Sequence, residues 1–176
     1  MIPASTNRTR VVSGEQLDER VAELGRLITA DYQGRQLVLL GVLNGAFIFA
    51  ADLCRAIALD VEIDFIRVAS YGTATESSGA IRLVMEPRLD LTGKDVLLVE
   101  DIVDTGTTMA WMRDHFRNSV ARSVKICALI DKKERRQVRV DVDYVGFSLD
   151  QGFLVGYGLD CAEKYRNLAE IYSLDG

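Results

Sequence analysis

The sequence predicts an α/β protein in which a mostly parallel, twisted sheet is flanked by helices. Short, wholly apolar runs such as Leu37–Leu40 and Val96–Val99 are typical of strands that are covered on both faces. Stretches with helical spacing lie between such runs, and strands that alternate with helices favour a parallel sheet. Prolines interrupt the 176 residues at two positions, Pro3 and Pro87. We therefore expect a single domain over residues 1–176.

The composition is that of an ordinary globular protein with an excess of acidic side chains. Hydrophobic residues make up 48%, charged residues 27%, and the net charge is -5. Because a nucleic-acid or membrane-surface binder needs a cationic face, neither partner is expected. No apolar run reaches the ~18 residues of a membrane span, and residues 1–10 lack a signal-peptide core. Separate cysteines (Cys54, Cys127 and Cys161) indicate free thiols and a cytoplasmic protein.

The first elements follow from a cap and from helical spacing. Ser13 and Gln16 fit a capping box that begins an amphipathic helix over residues 14–30. The first apolar run ends at Gly41–Gly45, and a second helix is predicted over residues 46–57.

A hairpin with a long tip is predicted next. Residues 61–68 alternate apolar and polar side chains, which indicates a half-exposed strand. Residues 69–80 read ASYGTATESSGA, and this small, polar, glycine-containing stretch is expected to be a mobile loop. A returning strand over residues 81–85 completes the hairpin.

The loops that follow the buried strands are the expected location of the chemistry. In parallel α/β sheets, ligands bind at the carboxyl ends of the strands. The relevant loops come after Leu40, Val99 and Ile130. The remaining predicted elements are a helix over 108–116 and strands near 126–130, 142–149 and 153–156.

The most informative segment is VLLVEDIVDTGTTM, residues 96–109. A buried strand carries Glu100 and Asp101 to the rim of the sheet, and Asp104 opens a tight turn that leads into a helix. Glycine, exposed amides, hydroxyls and the helix dipole together make a phosphate site. Carboxylates beside a phosphate favour sugar hydroxyls or Mg²⁺ as their partners. The segment therefore indicates a ligand that resembles a phosphorylated ribose.

Other interpretations of this segment are weaker. Taken singly, its Asp and Thr residues are those of an ordinary helix cap. The GxxxxGK[ST] pattern of P-loop nucleotide-binding proteins is absent, and so is the GxGxxG dinucleotide pattern.

The whole string resembles the phosphoribosyl-pyrophosphate motif of type I phosphoribosyltransferases, in which acidic residues after a strand precede D-x-G-x-T. Four more stretches are similar, in order, to the hypoxanthine-guanine branch of that family: GVLNGAFIFAADL, ASY, Asp131-Lys132 and FLVGYGLDCAEKYRNL. The resemblance implies a Mg²⁺-dependent purine-salvage enzyme that joins hypoxanthine, guanine or xanthine to phosphoribosyl pyrophosphate. It also implies a small base-binding hood beside the sheet, and a homodimer or homotetramer.

The resemblance assigns the sugar-phosphate site to the central motif. Glu100 and Asp101 are expected to hold the ribose hydroxyls, directly or through Mg²⁺. Asp104 is expected to face purine N7 as the general base or acid. The 5′-phosphate is expected to bind at Asp104, Thr105, Gly106, Thr107 and Thr108.

The purine site is implied by later residues. Lys132 is expected to donate to the exocyclic O6 and so to select 6-oxopurines over adenine. Without the resemblance, Lys132 is equally a solvated member of the KKERR run. Phe153 is expected to stack on the base and Leu154 to offer its backbone. Asp160 is grouped with the purine site and is also expected to hold a Mg²⁺ ion that contacts pyrophosphate.

The pyrophosphate site is implied by three separate segments. The loop Leu43, Asn44 and Gly45 is expected to contain a cis peptide at Leu43–Asn44. Many relatives carry a lysine where this chain has Asn44, so backbone amides are expected to bind there. Ser70 and Tyr71 on the closing loop and Arg166 complete the expected site.

Two rivals from outside this reaction remain open on the sequence. One is a regulatory protein that keeps the fold and binds nucleotides or RNA, and the other is a sugar-phosphate-binding module without catalysis. Within enzymes, a phosphoribosyltransferase for another base is the alternative.

Overall fold

A six-stranded sheet organises the chain, which a computed structural model describes over residues 8–73, 76–149 and 152–174. The strand order is β4-β3-β2-β5-β6-β7, and a second sheet has the order β1-β9-β8. In chain order the elements are β1 (Arg8–Val12), α1 (Gly14–Asp31), β2 (Leu37–Val42), α2 (Phe47–Ala56), β3 (Glu62–Thr73), β4 (Glu76–Met85), β5 (Asp95–Val103), α3 (Thr107–Arg117), β6 (Ser123–Asp131), β7 (Tyr144–Ser148), β8 (Phe153–Val155) and β9 (Ile171–Leu174).

Strands β3, β2, β5, β6 and β7 run parallel, and β4 is the antiparallel edge. Successive residues of β2 enter two separate cores. Leu37 and Leu39 pack on the face covered by α1 and α2, whereas Val38 and Leu40 pack on the α3 face. Because both faces are covered, the central strands are apolar throughout. The predicted fold class is confirmed.

Helix α1 begins as its sequence predicts. The Ser13 side chain accepts from the Gln16 backbone N–H, and the Gln16 side chain accepts from the Ser13 N–H. The helix packs closely on α2, because a Cβ at Gly25 would lie 2.4 Å from the Ala56 carbonyl oxygen.

The small antiparallel sheet is the hood that the family resemblance implied. Strand β9 lies between β1 and β8, with Phe153 opposite Leu174 and Arg8 also opposite Leu174. The sequence predicted β8 but neither β1 nor β9.

The tip of the β3–β4 hairpin differs from the prediction. Residues 69–80 were expected to be a loop, but β3 continues to Thr73 and β4 begins at Glu76. Pairing of Ser70 with Ile81 and of Tyr71 with Ala80 carries the ladder into this segment. Backbone pairing therefore continues where the side chains give little hydrophobic signal.

Among the described helices, none combines the length and apolar character needed to cross a bilayer. The three cysteines are free thiols, and Cys127 is buried. Burial raises the pKa of the Cys127 thiol above its ordinary range.

Candidate active site

Two adjacent carboxylates end the apolar part of β5. Glu100 is buried and Asp101 is half-buried. The Asp101 N–H donates to Glu100 Oε1 at 3.1 Å, and the Ile102 N–H donates to Asp101 Oδ1 at 2.8 Å. Burial and the neighbouring Asp101 charge raise the pKa of Glu100 well above its ordinary value, and burial also raises the pKa of Asp101. Such a pair favours hydroxyl donors or a cation as its ligand.

The predicted phosphate loop lies between β5 and α3. Gly106 has φ 83°, and a Cβ there would lie 2.5 Å from the Val138 carbonyl oxygen. Over the described residues, the backbone N–H groups of Asp104, Thr105 and Gly106 donate to no other backbone carbonyl. The first N–H groups of α3 are also without helical partners. This is the donor arrangement that binds phosphate.

The two threonine hydroxyls of this loop stand close together. Thr105 Oγ1 lies 3.4 Å from Thr107 Oγ1, and Thr107 is the first residue of α3. A cavity of about 170 Å³ opens here. Its lining residues are Glu100, Ile102, Val103, Asp104, Thr105, Gly106, Thr108 and Met109.

One carboxylate oxygen of Asp104 is in an ion pair, and the other has no hydrogen-bond partner among the described residues. Its Oδ2 lies 3.4 Å from Arg135 Nη1, whose side chain is largely exposed. Its Oδ1 is buried and has no hydrogen-bond partner among the described residues. A buried, unsatisfied acceptor costs free energy unless a ligand donates to it. Asp104 is therefore suited to meet a substrate proton.

The predicted pyrophosphate loop touches the carboxylate pair. The Leu43–Asn44 peptide is cis, as the resemblance implied. A Cβ at Gly45 would lie 1.6 Å from Asp101 Oδ2, so only glycine leaves room for that carboxylate. Gly158 has φ 100° and would place a Cβ 2.1 Å from the Gly45 carbonyl oxygen. Three distant segments thus meet at Gly45.

Asn44 carries no charge, but the guanidinium of Arg67 lies beside this loop. Arg67 of β3 donates to the Asn44 side-chain oxygen. The register explains the contact, because the Leu43 N–H donates to the carbonyl of Ile66 at 2.9 Å. The sequence analysis did not single out Arg67.

Lys132 joins the main sheet to the hood. Its backbone N–H donates to the Val103 carbonyl at 2.9 Å, which places it beside the start of the phosphate loop. Its Nζ donates to the Gly152 carbonyl at 2.9 Å, and the residue is 8% exposed. A solvated Lys132, which the charge run allowed, is therefore wrong.

The hood offers one exposed ring next to a buried neighbour. Phe153 is 56% exposed although it begins β8, whereas Leu154 is buried in the hydrophobic core. A large exposed aromatic side chain is suited to stacking on a flat ligand.

Asp160 and Arg166 form an ion pair near the carboxylates. Arg166 Nη2 lies 2.9 Å from Asp160 Oδ1 and 3.0 Å from Glu163 Oε2. Arg166 Nη1 donates to the Gly158 carbonyl at 2.8 Å. Its charge reaches Asp101, where it opposes the rise in pKa caused by burial. Arg166 is therefore more than one half of a surface ion pair, because it also holds a backbone carbonyl and acts on Asp101.

Ser70 and Tyr71 lie on β3, but their side chains are outside the described part of the structure. Their predicted contact with pyrophosphate stays a prediction.

Comparison with known proteins shows the family to which the chain belongs. Residues 10–162 match the family model described as a phosphoribosyl transferase domain. The chain belongs to the phosphoribosyltransferase family. A hypoxanthine-guanine phosphoribosyltransferase of Mycobacterium avium is 43% identical over 94% of this chain and 84% of its own length. A bifunctional protein of Listeria innocua is 44% identical over 92% of this chain, which spans 25% of that longer relative.

A solved phosphoribosyltransferase has the same fold. The crystal structure of a hypoxanthine-guanine phosphoribosyltransferase from Bacillus anthracis superposes with a TM-score of 0.90 at 46% identity. The match covers 97% of this chain and 99% of that one. The resemblance on which the sequence analysis relied is confirmed.

The phosphoribosyltransferase site suits Mg²⁺ that is shared with a ligand. No group of three or more metal-binding side chains occurs among the described residues. Glu100 and Asp101 supply two hard oxygen donors, and Mg²⁺ characteristically combines one or two carboxylates with phosphate or sugar oxygens. Their raised pKa values also fit, because a dication would favour the ionised forms.

Proposed function

We propose that this chain transfers the 5-phosphoribosyl group from phosphoribosyl pyrophosphate to N9 of hypoxanthine or guanine. The products would be IMP or GMP and pyrophosphate, and xanthine is a third candidate base. The observation that carries the proposal is the orphaned Asp104 oxygen beside a phosphate loop whose amides are free, next to a buried lysine. The activity of the relatives named above supports the same reaction.

In this proposal the acceptor base is recognised at N7, at O6, on its ring face and at its edge. Asp104 accepts the proton at purine N7 through its unpartnered Oδ1. Lys132 donates to O6, and Asp160 lies close to the base. The amino group at position 6 of adenine is a hydrogen-bond donor whose lone pair is delocalised into the ring, so it cannot accept from an ammonium group and adenine is rejected. Phe153 stacks on the ring, and the Leu154 backbone meets its edge.

The donor substrate is held at both ends of the ribose. Loop residues Asp104 to Thr108 hold the 5′-phosphate, and Glu100 with Asp101 accept from the ribose hydroxyls. The C1′–oxygen bond to pyrophosphate breaks as the N9–C1′ bond forms. The leaving pyrophosphate is held in the Leu43–Gly45 loop by the backbone amides of Asn44 and Gly45, which donate to no other backbone carbonyl among the described residues. Arg166, Ser70 and Tyr71 complete its binding site.

Mg²⁺ belongs to this reaction because the leaving group carries several negative charges. Glu100, Asp101 and Asp160 would hold Mg²⁺, and this positive charge would offset the negative charge of the leaving pyrophosphate. The chain's own residues orient the two substrates and exclude water from C1′.

The surroundings of the enzyme are also part of the proposal. We infer one domain over residues 1–176, a cytoplasmic location and a homodimer or homotetramer. Light scattering after size-exclusion chromatography measures the oligomer directly, and a monomeric mass would overturn that part.

Nucleotide formation with separate bases tests the proposal. The purified chain is supplied with phosphoribosyl pyrophosphate, Mg²⁺ and one base at a time: hypoxanthine, guanine, xanthine or adenine. Turnover with 6-oxopurines and not with adenine is expected. The variant Lys132→Gln should lose that selectivity, whereas Lys133→Gln on the next residue should keep it. Nucleotide binding without turnover by any base would refute the enzyme and favour a regulator or binding module.

A further inference from the structure

The segment after Lys132 covers the carbonyl side of the phosphate loop. The backbone N–H groups of Gln137 and Val138 both donate to the Thr105 carbonyl, at 2.9 and 3.0 Å. The Val138 carbonyl lies against Gly106, where a Cβ would be 2.5 Å away. This covering segment, residues 133–140, follows β6 and reaches back across the loop.

The guanidinium of Arg136, in the covering segment, donates to several backbone carbonyls around the phosphate loop. Arg136 Nε donates to the Asp104 carbonyl at 3.0 Å, and Nη2 donates to the Val103 carbonyl at 3.1 Å. The same Nη2 lies 3.2 Å from the Lys132 carbonyl, and Nη1 lies 3.2 Å from that of Val140. The side chain is 17% exposed and also pairs with the Asp131 carboxylate.

These contacts leave the carbonyl groups of the phosphate loop on one side and its N–H groups on the other. The carbonyls of Val103, Asp104 and Thr105 are all occupied on the side of the covering segment. The N–H groups of the loop are left for an anion, and no carbonyl dipole is left to repel it. Arg136 also adds positive charge behind the loop without occupying it.

The same guanidinium spans both ends of the proposed nucleotide. It donates to the carbonyl of Asp104, the first residue of the phosphate loop, and to the carbonyl of Lys132, whose ammonium is assigned to the base. A planar fork with five N–H donors can serve acceptors in several directions, which lysine's ammonium on a flexible stem cannot reproduce.

We propose that Arg136 is a positioning residue that fixes the phosphate loop relative to Lys132, so that the 5′-phosphate and the purine are bound in one register. It touches neither substrate. This inference rests on the proposed function for its meaning, but its test does not require turnover.

The test compares guanosine with guanosine 5′-monophosphate as probes of the whole chain. For each protein, calorimetry gives the dissociation constants of both ligands. The dissociation constant of guanosine divided by that of the nucleotide measures the contribution of the phosphate to binding, and this quotient is the ratio compared between variants. Arg136→Lys is expected to weaken the nucleotide roughly tenfold or more while changing guanosine less than about twofold. The KM for phosphoribosyl pyrophosphate should rise by a similar factor, more than kcat falls. A merely structural loss would weaken both ligands alike.

Matched variants make the outcome decisive. Arg139→Lys lies in the same segment, where Arg139 is 91% exposed, and it should match the native ratio. Asp131→Asn removes the carboxylate partner of Arg136 and should reduce the ratio less than Arg136→Lys does; it decides the question if Arg136→Lys does not fold. An Arg136→Lys protein with native melting and a native ratio overturns the proposal. Failure of turnover in the native chain, with the ratio responding as expected, would overturn the proposed reaction alone.

Discussion

At the residue scale, Asp104 combines a buried unpartnered oxygen with a place at the end of β5. Asp104→Asn should lower kcat roughly 100- to 10,000-fold, because an amide cannot accept and return a proton as a carboxylate does. Its stability should change little, since Oδ1 has no partner to lose and the ion pair of Oδ2 with the largely exposed Arg135 is weak. Steady-state assays with hypoxanthine measure the effect.

The control for that prediction is Asp114→Asn on α3, where the carboxylate is 60% exposed and pairs with Arg113. Near-native kcat is expected of it. Near-native kcat in Asp104→Asn would remove Asp104 from proton transfer.

Glu100 illustrates a conflict between binding and stability. Its charge is buried next to a second carboxylate, and burial raises its pKa. Glu100→Gln keeps the oxygen that accepts from the Asp101 N–H but removes the buried charge. We expect the free energy of unfolding at neutral pH to rise by on the order of 1 kcal/mol, with weaker binding of phosphoribosyl pyrophosphate.

Thermal melting of the ligand-free protein measures the gain, and Glu23→Gln on the exposed face of α1 should show none. Stabilisation without loss of binding would mean that Glu100 does not meet the ligand.

At the element scale, the sequence predicted the elements whose formation depends on neighbouring residues in the chain. The apolar runs of β2, β5 and β6 report burial on both faces, and the Ser13 cap reports where α1 begins. Strands β1 and β9 were missed because RTRVV and IYSL are short and depend on pairing with other segments. Strand β1 pairs with β9 at the far end of the chain, and β9 also pairs with β8.

In the candidate site, too, the contiguous residues were predicted from the sequence, whereas a residue that acts through distant backbone groups was not. Glu100 to Thr108 is contiguous in the sequence, so its motif was readable as one string. Arg136 was not predicted, because KKERR indicates only a charged run. Its role depends on carbonyls of β5 and the phosphate loop, and backbone carbonyls carry no sequence signal.

The contact of the pyrophosphate loop with β5 gives a prediction at the element scale. Gly45→Ala places a methyl group 1.6 Å from the native position of Asp101 Oδ2 and must displace that carboxylate. We expect kcat/KM for phosphoribosyl pyrophosphate to fall roughly tenfold or more.

Gly14→Ala at the start of α1 is the matched control, because the nearest atom to its Cβ would be 3.9 Å away. Equal kinetics for the two alanine variants would show that the close approach of Gly45 to Asp101 has no consequence for the reaction.

At the scale of the whole molecule, a buried ion cluster closes the end of the sheet opposite the site. The Asp95 side chain is fully buried and lies 2.8 Å from Arg35 Nη2. It also accepts from Ser123 Oγ at 2.5 Å and pairs with Arg122. Burial acts to raise its pKa, but the donated hydrogen bonds from Arg122 and Ser123 outweigh it and hold the pKa below 3.8.

Asp95→Asn should therefore lower the free energy of unfolding by about 2 kcal/mol at neutral pH. A carboxylate with a lowered pKa in the folded state contributes stability above its ordinary pKa and loses it as pH falls through the folded value. The difference between variant and native protein should be full at neutral pH and shrink below pH 3.8. Urea unfolding across pH measures it.

Asp141→Asn, at a carboxylate that is 82% exposed, should change stability by less than about 0.5 kcal/mol at any pH. A pH-independent loss in Asp95→Asn would indicate lost packing in place of lost charge pairing.

The bond between Lys132 Nζ and the Gly152 carbonyl has a consequence for the kinetics of recognition. A free lysine side chain has about 2 kcal/mol of rotamer entropy to lose when it is immobilised. Here the hood immobilises it while the chain folds, and the ammonium keeps two further N–H donors for a ligand. The Lys132 ammonium is therefore preorganised before a purine binds. Discrimination between oxygen and nitrogen at position 6 does not require a rearrangement of the lysine side chain.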